Sequence, residues 1–288
     1  MSAPLIPYID IPPLHIGLGE LSIKPFGTLV AIGVYIGTEI VKRQGERFKL
    51  DSKALSSFVF YLLVGGFVGG HVLDSIFYHP EHVAESPLSL LAIWDGQSSF
   101  GGFTGALLGG LLWRRKFKAS ILAYADVVAS AFPTSWVFGR SGCSVAHDHP
   151  GMLSNAWFAV QYPGGGRFDL GLYEMVLTIP LAITFLVLMR KPRPPGFFLG
   201  SMCIAYAPTR FALDFLRVDQ SEYGRAADPR YAGLTPAQWG CLLLLAVGVT
   251  LVYRAARAAE QGRAWIAAAA PAFAGEPAIN PTETEAIG

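Results

Sequence analysis

Residues 138–151 read FGRSGCSVAHDHPG, which places an arginine, a cysteine, an aspartate and two histidines within one short peptide. Cys143, His147, Asp148 and His149 all carry donors that zinc accepts. The cysteine and first histidine are four apart, but an aspartate, another histidine and a proline follow at once, which is irregular for zinc. His79 and His82 stand alone and make no second cluster. A second set of polar groups lies in YAPTRFALDFLR, residues 206–217. Tyr206, Arg210, Asp214 and Arg217 are spaced by four, four and three, which aligns them on one face of a helix. Such a face is either an intrahelical ladder, with Asp214 neutralising both arginines, or part of an anion site. Guanidinium groups bind phosphate through paired, charge-assisted hydrogen bonds and keep their proton while doing so. Arg140 and Arg210 are therefore the candidates to hold a phosphate, and a metal site is not expected.

The elements that carry these groups are membrane spans. Hydrophobic residues make up 52% of the 288 and charged residues only 15%, well under the charged share of soluble domains. The apolar residues fall into seven runs, about 25–41, 54–77, 99–113, 119–138, 172–189, 196–216 and 236–253. The expected fold is an all-α integral membrane protein of about seven transmembrane helices. The 99–113 run is short for an unaided crossing. Residues 1–24 lack the basic start and unbroken apolar centre of a cleavable signal peptide, so they form an extracytoplasmic segment. HIGLGELSI alternates loosely around Gly17 and Gly19, as a short hairpin would. The chain divides into this segment, a transmembrane domain over 25–257, and a cytoplasmic tail over 258–288. That tail is rich in alanine, proline, threonine and glutamate, a disorder-prone composition.

Basic residues set the orientation. Lys42, Arg43, Arg47, Lys49 and Lys53 follow the first run, and Arg114, Arg115, Lys116 and Lys118 the third. Arg190, Lys191 and Arg193 follow the fifth, and Arg254, Arg257 and Arg263 the last. The positive-inside rule then places the N-terminus outside and the C-terminus in the cytoplasm. Membrane topology accounts for these basic clusters without a nucleic-acid partner. Arg210 lies fourteen residues beyond the inner start of its run, about 21 Å up a crossing of about 30 Å. Arg140, the glycines of residues 94–105, His71, Asp74, Tyr173 and Glu174 all fall toward the same outer side. Ionisable groups at such depth are costly and generally functional. The anion most available there is a phospholipid headgroup. Cys203 and Cys241 lie within runs and suit apolar packing, as Gly105, Gly109 and Gly110 suit close helix contact.

Order and spacing together resemble the prolipoprotein diacylglyceryl transferase family over about residues 10–257. In its signature G-R-x-[G/A]-N-F-x-N-x-E-x-x-G, Gly139, Arg140, Gly142 and Gly151 match in register and Asp148 replaces the glutamate. Tyr206, Arg210, Asp214 and Arg217 resemble the family's Y-x-x-x-R-x-x-x-E-x-x-R. Trp94-Asp95-Gly96, Tyr173-Glu174, Lys191-Pro-Arg-Pro, Phe26-Gly27 and Asp126 also fall where the family has equivalents. Departures are as plain. Cys143 and Ala146 replace asparagines, Ser144 a phenylalanine and Phe26 a tyrosine. Phe168 to Gly171 replace H-P-x-Q, and the family's histidine is missing where Ser99, Phe100 and Gly101 run on. The chain reads as a divergent member.

The resemblance implies a multi-pass protein of the bacterial cytoplasmic (inner) membrane, acting without a cofactor. It implies transfer of the diacylglyceryl group of phosphatidylglycerol to the lipobox cysteine thiol of a prolipoprotein, releasing glycerol phosphate. Its partners are then that lipid, prolipoprotein signal peptides and the surrounding membrane lipids. Arg140 and Arg210 would stabilise the leaving phosphate, with Asp214 orienting Arg210. His147 or His149 would stand in for the missing histidine as base, unless both are plain loop histidines. Arg217, Tyr206, Asp148, Gly151, Gly96, Gly101, Gly102 and Glu174 would line the substrate site. Two other classes fit the same residues: a lipid-binding relative that kept the arginines but lost transfer, and a metal-dependent membrane hydrolase using His147, Asp148 and His149.

Overall fold

The computed structural model describes residues 4–15, 22–92, 96–217 and 230–260. Short strands β1 (Ile6–Pro7), β2 (Leu14–His15) and β3 (Ser22–Ile23) precede helices α1 (Pro25–Arg47), α2 (Ser52–Tyr78) and α3 (Pro80–Glu85). A 3-10 turn over Pro87–Leu91 leads to α4 (Ser99–Phe117) and α5 (Ile121–Ala146). Strands β4 (Pro150–Leu153), β5 (Val160–Tyr162) and β6 (Gly165–Asp169) come next, followed by α6 (Leu170–Leu188), α7 (Phe197–Asp214) and α8 (Pro236–Glu260). The protein is mostly helical, and each expected span coincides with one long helix. Five of them, α1, α2, α5, α6 and α8, are long and apolar enough to cross a membrane. Glycine-rich α4 ends in Arg114, Arg115 and Lys116, and α7 carries Arg210 and Asp214. Both fall short on these grounds. Two expectations lie partly outside the described residues: the Trp94–Asp95 pair, and the tail beyond α8.

Two compact units make up the chain. The first joins the residues up to Arg43 with those from Ala125 through α8. Its core is Ala129, Phe185, Met189, Phe198, Met202 and Tyr206. Gly33 and Gly37 let α1 approach α5, since a Cβ at either would lie within 3 Å of Ser135 atoms. Helix α7 is preceded by Gly196 at its N-cap, which offers no side-chain cap. Asp126 supplies one from α5 instead, its Oδ1 accepting from the Leu199 N–H at 2.8 Å. Beside the helices sits a four-stranded sheet, ordered β1-β5-β6-β4, which the helix-period reading did not foresee. Its strands are two to five residues long, too short for hydrophobic periodicity to register. Leu14 pairs with Ile23 and His15 with Ser22, as the expected hairpin requires, although its turn lies outside the described residues.

The second unit, Gln44–Tyr124, is organised by α2 and α4. Asp51 caps α2 through the Ala54 N–H and Ser98 caps α4 through the Gly101 N–H. Gly65, Gly69, Gly101, Gly105 and Gly109 bring the two backbones into contact. A Cβ at Gly105 would meet the Gly65 carbonyl oxygen at 2.0 Å, and one at Gly101 would meet that of Gly69 at 2.4 Å. Small-residue approach of this kind is how helices associate in lipid, where no hydrophobic drive holds them together. Phe58, Trp113 and Tyr124 pack together in this unit, with ring centroids 4.9 Å apart across Trp113. Outward faces are apolar in both units: Phe60, Phe67, Ile183, Leu243 and Val249 are all at least half exposed. An apolar exterior is the solvation expected of lipid-facing helices.

Candidate active site

The polar residues of the first unit meet where the end of α5, the start of α6 and the second half of α7 come together. Glu174 is the centre. Its Oε1 accepts from Trp136 Nε1 at 3.1 Å and from the Tyr206 hydroxyl at 2.9 Å. The same oxygen lies 3.0 Å from Arg140 Nε. Among the described residues that Nε–H meets no aligned acceptor, so the contact is an ion pair rather than a hydrogen bond. The guanidinium stacks on Trp136, 4.5 Å from the ring centroid, and its Nη1 donates to Cys143 Sγ at 3.6 Å. Arg140 and Glu174 are both buried. Three helices are thus bound through one carboxylate, and an arginine is fixed with donor capacity to spare.

Asp214 is the second anchor. Its Oδ1 lies 2.7 Å from Arg210 Nη1 and 3.2 Å from Arg217 Nε. Its Oδ2 accepts from the Thr235 hydroxyl, and Thr235 is held in turn by Gln238 at the start of α8. Arg210 also lies within electrostatic reach of Tyr206 and Glu174, so the two anchors form one charged network. Three guanidiniums face two carboxylates, and Arg210 and Arg217 share Asp214, so the network carries an excess of positive charge.

The loop after α5 sorts the remaining candidates. Helix α5 continues to Ala146, so Cys143 is helical although hydropathy alone ended that span near 138. Residue 147 then adopts a left-handed conformation, φ +49°, which turns the chain back. His147 faces the strands. Its Nδ1 is 2.8 Å from Asp169 Oδ2 and its Nε2 3.1 Å from the Ile9 carbonyl, and its ring stacks on Tyr8 at 4.0 Å. Asp169 also accepts from the Tyr162 hydroxyl at 2.9 Å and caps α6 through the Leu172 N–H. Burial, reinforced by that carboxylate, pushes the Tyr162 hydroxyl's pKa up and keeps it a donor. His149 instead pairs with Asp148. The donor atoms of Cys143, Asp148 and His149 all lie within 4.8 Å of one another. Gly171 lets the start of α6 approach the end of α5, since a Cβ there would stand 3.0 Å from the Cys143 backbone.

A family model described as prolipoprotein diacylglyceryl transferase matches residues 13–254. The chain belongs to the prolipoprotein diacylglyceryl transferase family. Relatives named phosphatidylglycerol–prolipoprotein diacylglyceryl transferase include one from Chromohalobacter salexigens, 30% identical over 76% of this chain and 84% of its own. That of Geobacter sulfurreducens is 31% identical over 77% and 88%, and that of Pseudomonas putida 28% over 86% and 96%.

The family and the five apolar helices make it a multi-pass bacterial membrane protein. Arg140, Glu174, Tyr206, Arg210, Asp214 and Arg217 come together in one network. His147 and His149, read as interchangeable bases, face different ways because the left-handed turn lies between them. Gly151 is a packing position. It bridges to Arg217, and a Cβ there would meet the Leu216 carbonyl oxygen at 2.5 Å. Gly96, Gly101 and Gly102 belong to the second unit. Gly96 has φ +59° and a Cβ there would meet Asp74, while Gly101 packs α4 on α2. Sequence reasoning missed Trp136, Asp169 and Thr235. Trp136 stands one helical turn before Arg140 and Asp169 three residues before Leu172, signals that i,i+4 stacking and capping rules could have flagged.

Proposed function

We propose that this protein transfers the diacylglyceryl group of phosphatidylglycerol to the cysteine thiol of a prolipoprotein's lipobox, in the bacterial inner membrane. The carrying observation is the Arg140 clamp: a buried guanidinium stacked on Trp136 and paired with Glu174, inside a family whose members are named for this reaction. Displacement at the glycerol carbon puts charge on the departing phosphate as the C–O bond breaks. Arg140 and Arg210 stabilise that charge, while Glu174 and Asp214 hold them rigid, so little reorganisation accompanies the reaction. Tyr206 ties the two acid–arginine pairs into one frame. Arg217 pairs with Asp214 and joins the end of α7 to β4 through Gly151. Apolar helix faces give the lipid substrate lateral access from the membrane.

The test is direct. Purified protein in phosphatidylglycerol vesicles, given a lipobox peptide, should yield a thioether-linked diacylglyceryl product detectable by mass spectrometry. Arg140→Ala should lower the rate by about 10²–10³-fold. A parent protein that binds the lipid but yields no product would leave a lipid-binding relative in place of an enzyme.

A further inference from the structure

The basic end of α4, in the second unit, has no part in the proposed transfer. Among the described residues, no acid pairs with Arg114, Arg115 or Lys118. Basic residues at other helix ends are engaged: Arg43 pairs with Glu39 at 2.9 Å and Arg257 with Glu260 at 3.8 Å. Lys116, beside them, lies over the rings of Tyr61 and Phe117. The three uncompensated cations line a recess of about 600 Å³ together with Leu108, Leu111 and Leu112. That volume is within the range of small-ligand sites. Helical spacing puts these leucines and arginines on one side of α4, round from Gly105 and Gly109, which face α2. Lys118 ends the helix there in a left-handed conformation, φ +51°, its N–H donating to the Arg114 carbonyl at 2.8 Å. The three leucines are exposed. Leu108 stands about 10 Å along the helix axis from Arg115. A charged end and an apolar flank are thus laid out in the order of a phospholipid's headgroup and chains. Membrane orientation asks for basic residues here, but not for an apolar recess beside them.

We infer that the end of α4 binds an anionic phospholipid of the cytoplasmic leaflet, its phosphate among Arg114, Arg115 and Lys118 and its acyl chains along Leu108, Leu111 and Leu112. The leaflet follows from the orientation that the basic connections set. Guanidinium groups take phosphate through paired, charge-assisted hydrogen bonds, and an ammonium adds a point charge. Basic pockets on the cytoplasmic side of membrane helices recognise anionic headgroups on this principle. A zwitterionic headgroup would bring its own ammonium into the cluster and lose much of the attraction to repulsion. The bound lipid is a resident of the fold and undergoes no bond change. The site shares no residue with the Arg140 clamp of the first unit and does not depend on the transferase reading.

The test uses full-length protein in phosphatidylcholine nanodiscs doped with a lipid that carries a photoreactive acyl chain. Photoreactive phosphatidylserine should label α4 at least about tenfold more than photoreactive phosphatidylcholine, as mass spectrometry of the peptides reads it. Neutralising the cluster, Arg114→Gln with Arg115→Gln and Lys118→Gln, should remove that preference. Lys42→Gln with Lys49→Gln and Lys53→Gln, which subtracts the same charge elsewhere, should retain it. Leu111→Trp leaves every charge in place but fills the recess, and should lower the phosphatidylserine labelling by about tenfold. Gel filtration checks that each variant folds, and Leu111→Trp decides the matter should the triple neutralisation fail to. Equal labelling by the two lipids overturns the site. So does equal loss from the two triple variants, or undiminished labelling of Leu111→Trp, since either leaves only general surface charge. Displacement of the label by inorganic phosphate would assign the cluster to a soluble anion and likewise sink the lipid site. None of these outcomes touches the lipobox-peptide assay, and a protein that makes no product there can still show the α4 labelling.

Discussion

Glu174 shows how a single side chain can decide a site. Three groups from two other helices converge on its Oε1, and one of them is the charged Arg140. Removing the charge of one partner of a buried ion pair strands the other, which typically costs about 3–5 kcal/mol. Glu174→Gln should accordingly lower the thermal unfolding midpoint in detergent by several degrees, and more than Asp148→Asn at the partly exposed Asp148 does. An unchanged midpoint would mean that Arg140 finds another counter-charge. Arg140 itself was legible from its place beside a glycine and a span end. Its Trp136 platform was not, because a tryptophan in a span reads as one more apolar residue. The split between His147 and His149 was equally hidden: they are two residues apart in sequence, and the left-handed backbone at His147, φ +49°, is not announced by its residue type.

At the level of elements, α2 and α4 make the sharpest case. Gly105 admits no Cβ without meeting the Gly65 carbonyl oxygen at 2.0 Å, whereas a Cβ at Gly102 finds its nearest atom at 3.8 Å. Gly105→Ala should therefore force the helices apart and cost about 1–3 kcal/mol, while Gly102→Ala is tolerated. Thermal scanning fluorimetry of the two variants in one detergent checks this, and equal midpoints would refute the packing argument. The glycines were visible in sequence, and both a ligand-approach role and a packing role were open for Gly101 and Gly102. Gly101 turned out to be a packing glycine. Asp126 is a parallel lesson, since its capping of α7 from α5 joins residues 73 apart in the chain. No local rule reaches that far.

For the whole molecule, the basic connections predict an external N-terminus and a cytoplasmic C-terminus. In intact spheroplasts, a membrane-impermeant maleimide should label Asn155→Cys but reach Lys116→Cys only after permeabilisation. The reverse pattern would invert the topology. The lipid-exposed character and the approximate spans were determined by composition and run length, because solvation in a bilayer acts on every residue independently and needs no partner. So was the pairing of Arg210, Asp214 and Arg217, since one helix fixes their spacing. What only the tertiary structure decided is which elements share a polar group. The meeting of α5, α6 and α7 on Glu174, the sheet that takes His147, and the convergence of Cys143, Asp148 and His149 all depend on contacts between segments. Burial makes an unpaired polar atom costly, but it does not say which distant group will satisfy it. That choice belongs to packing.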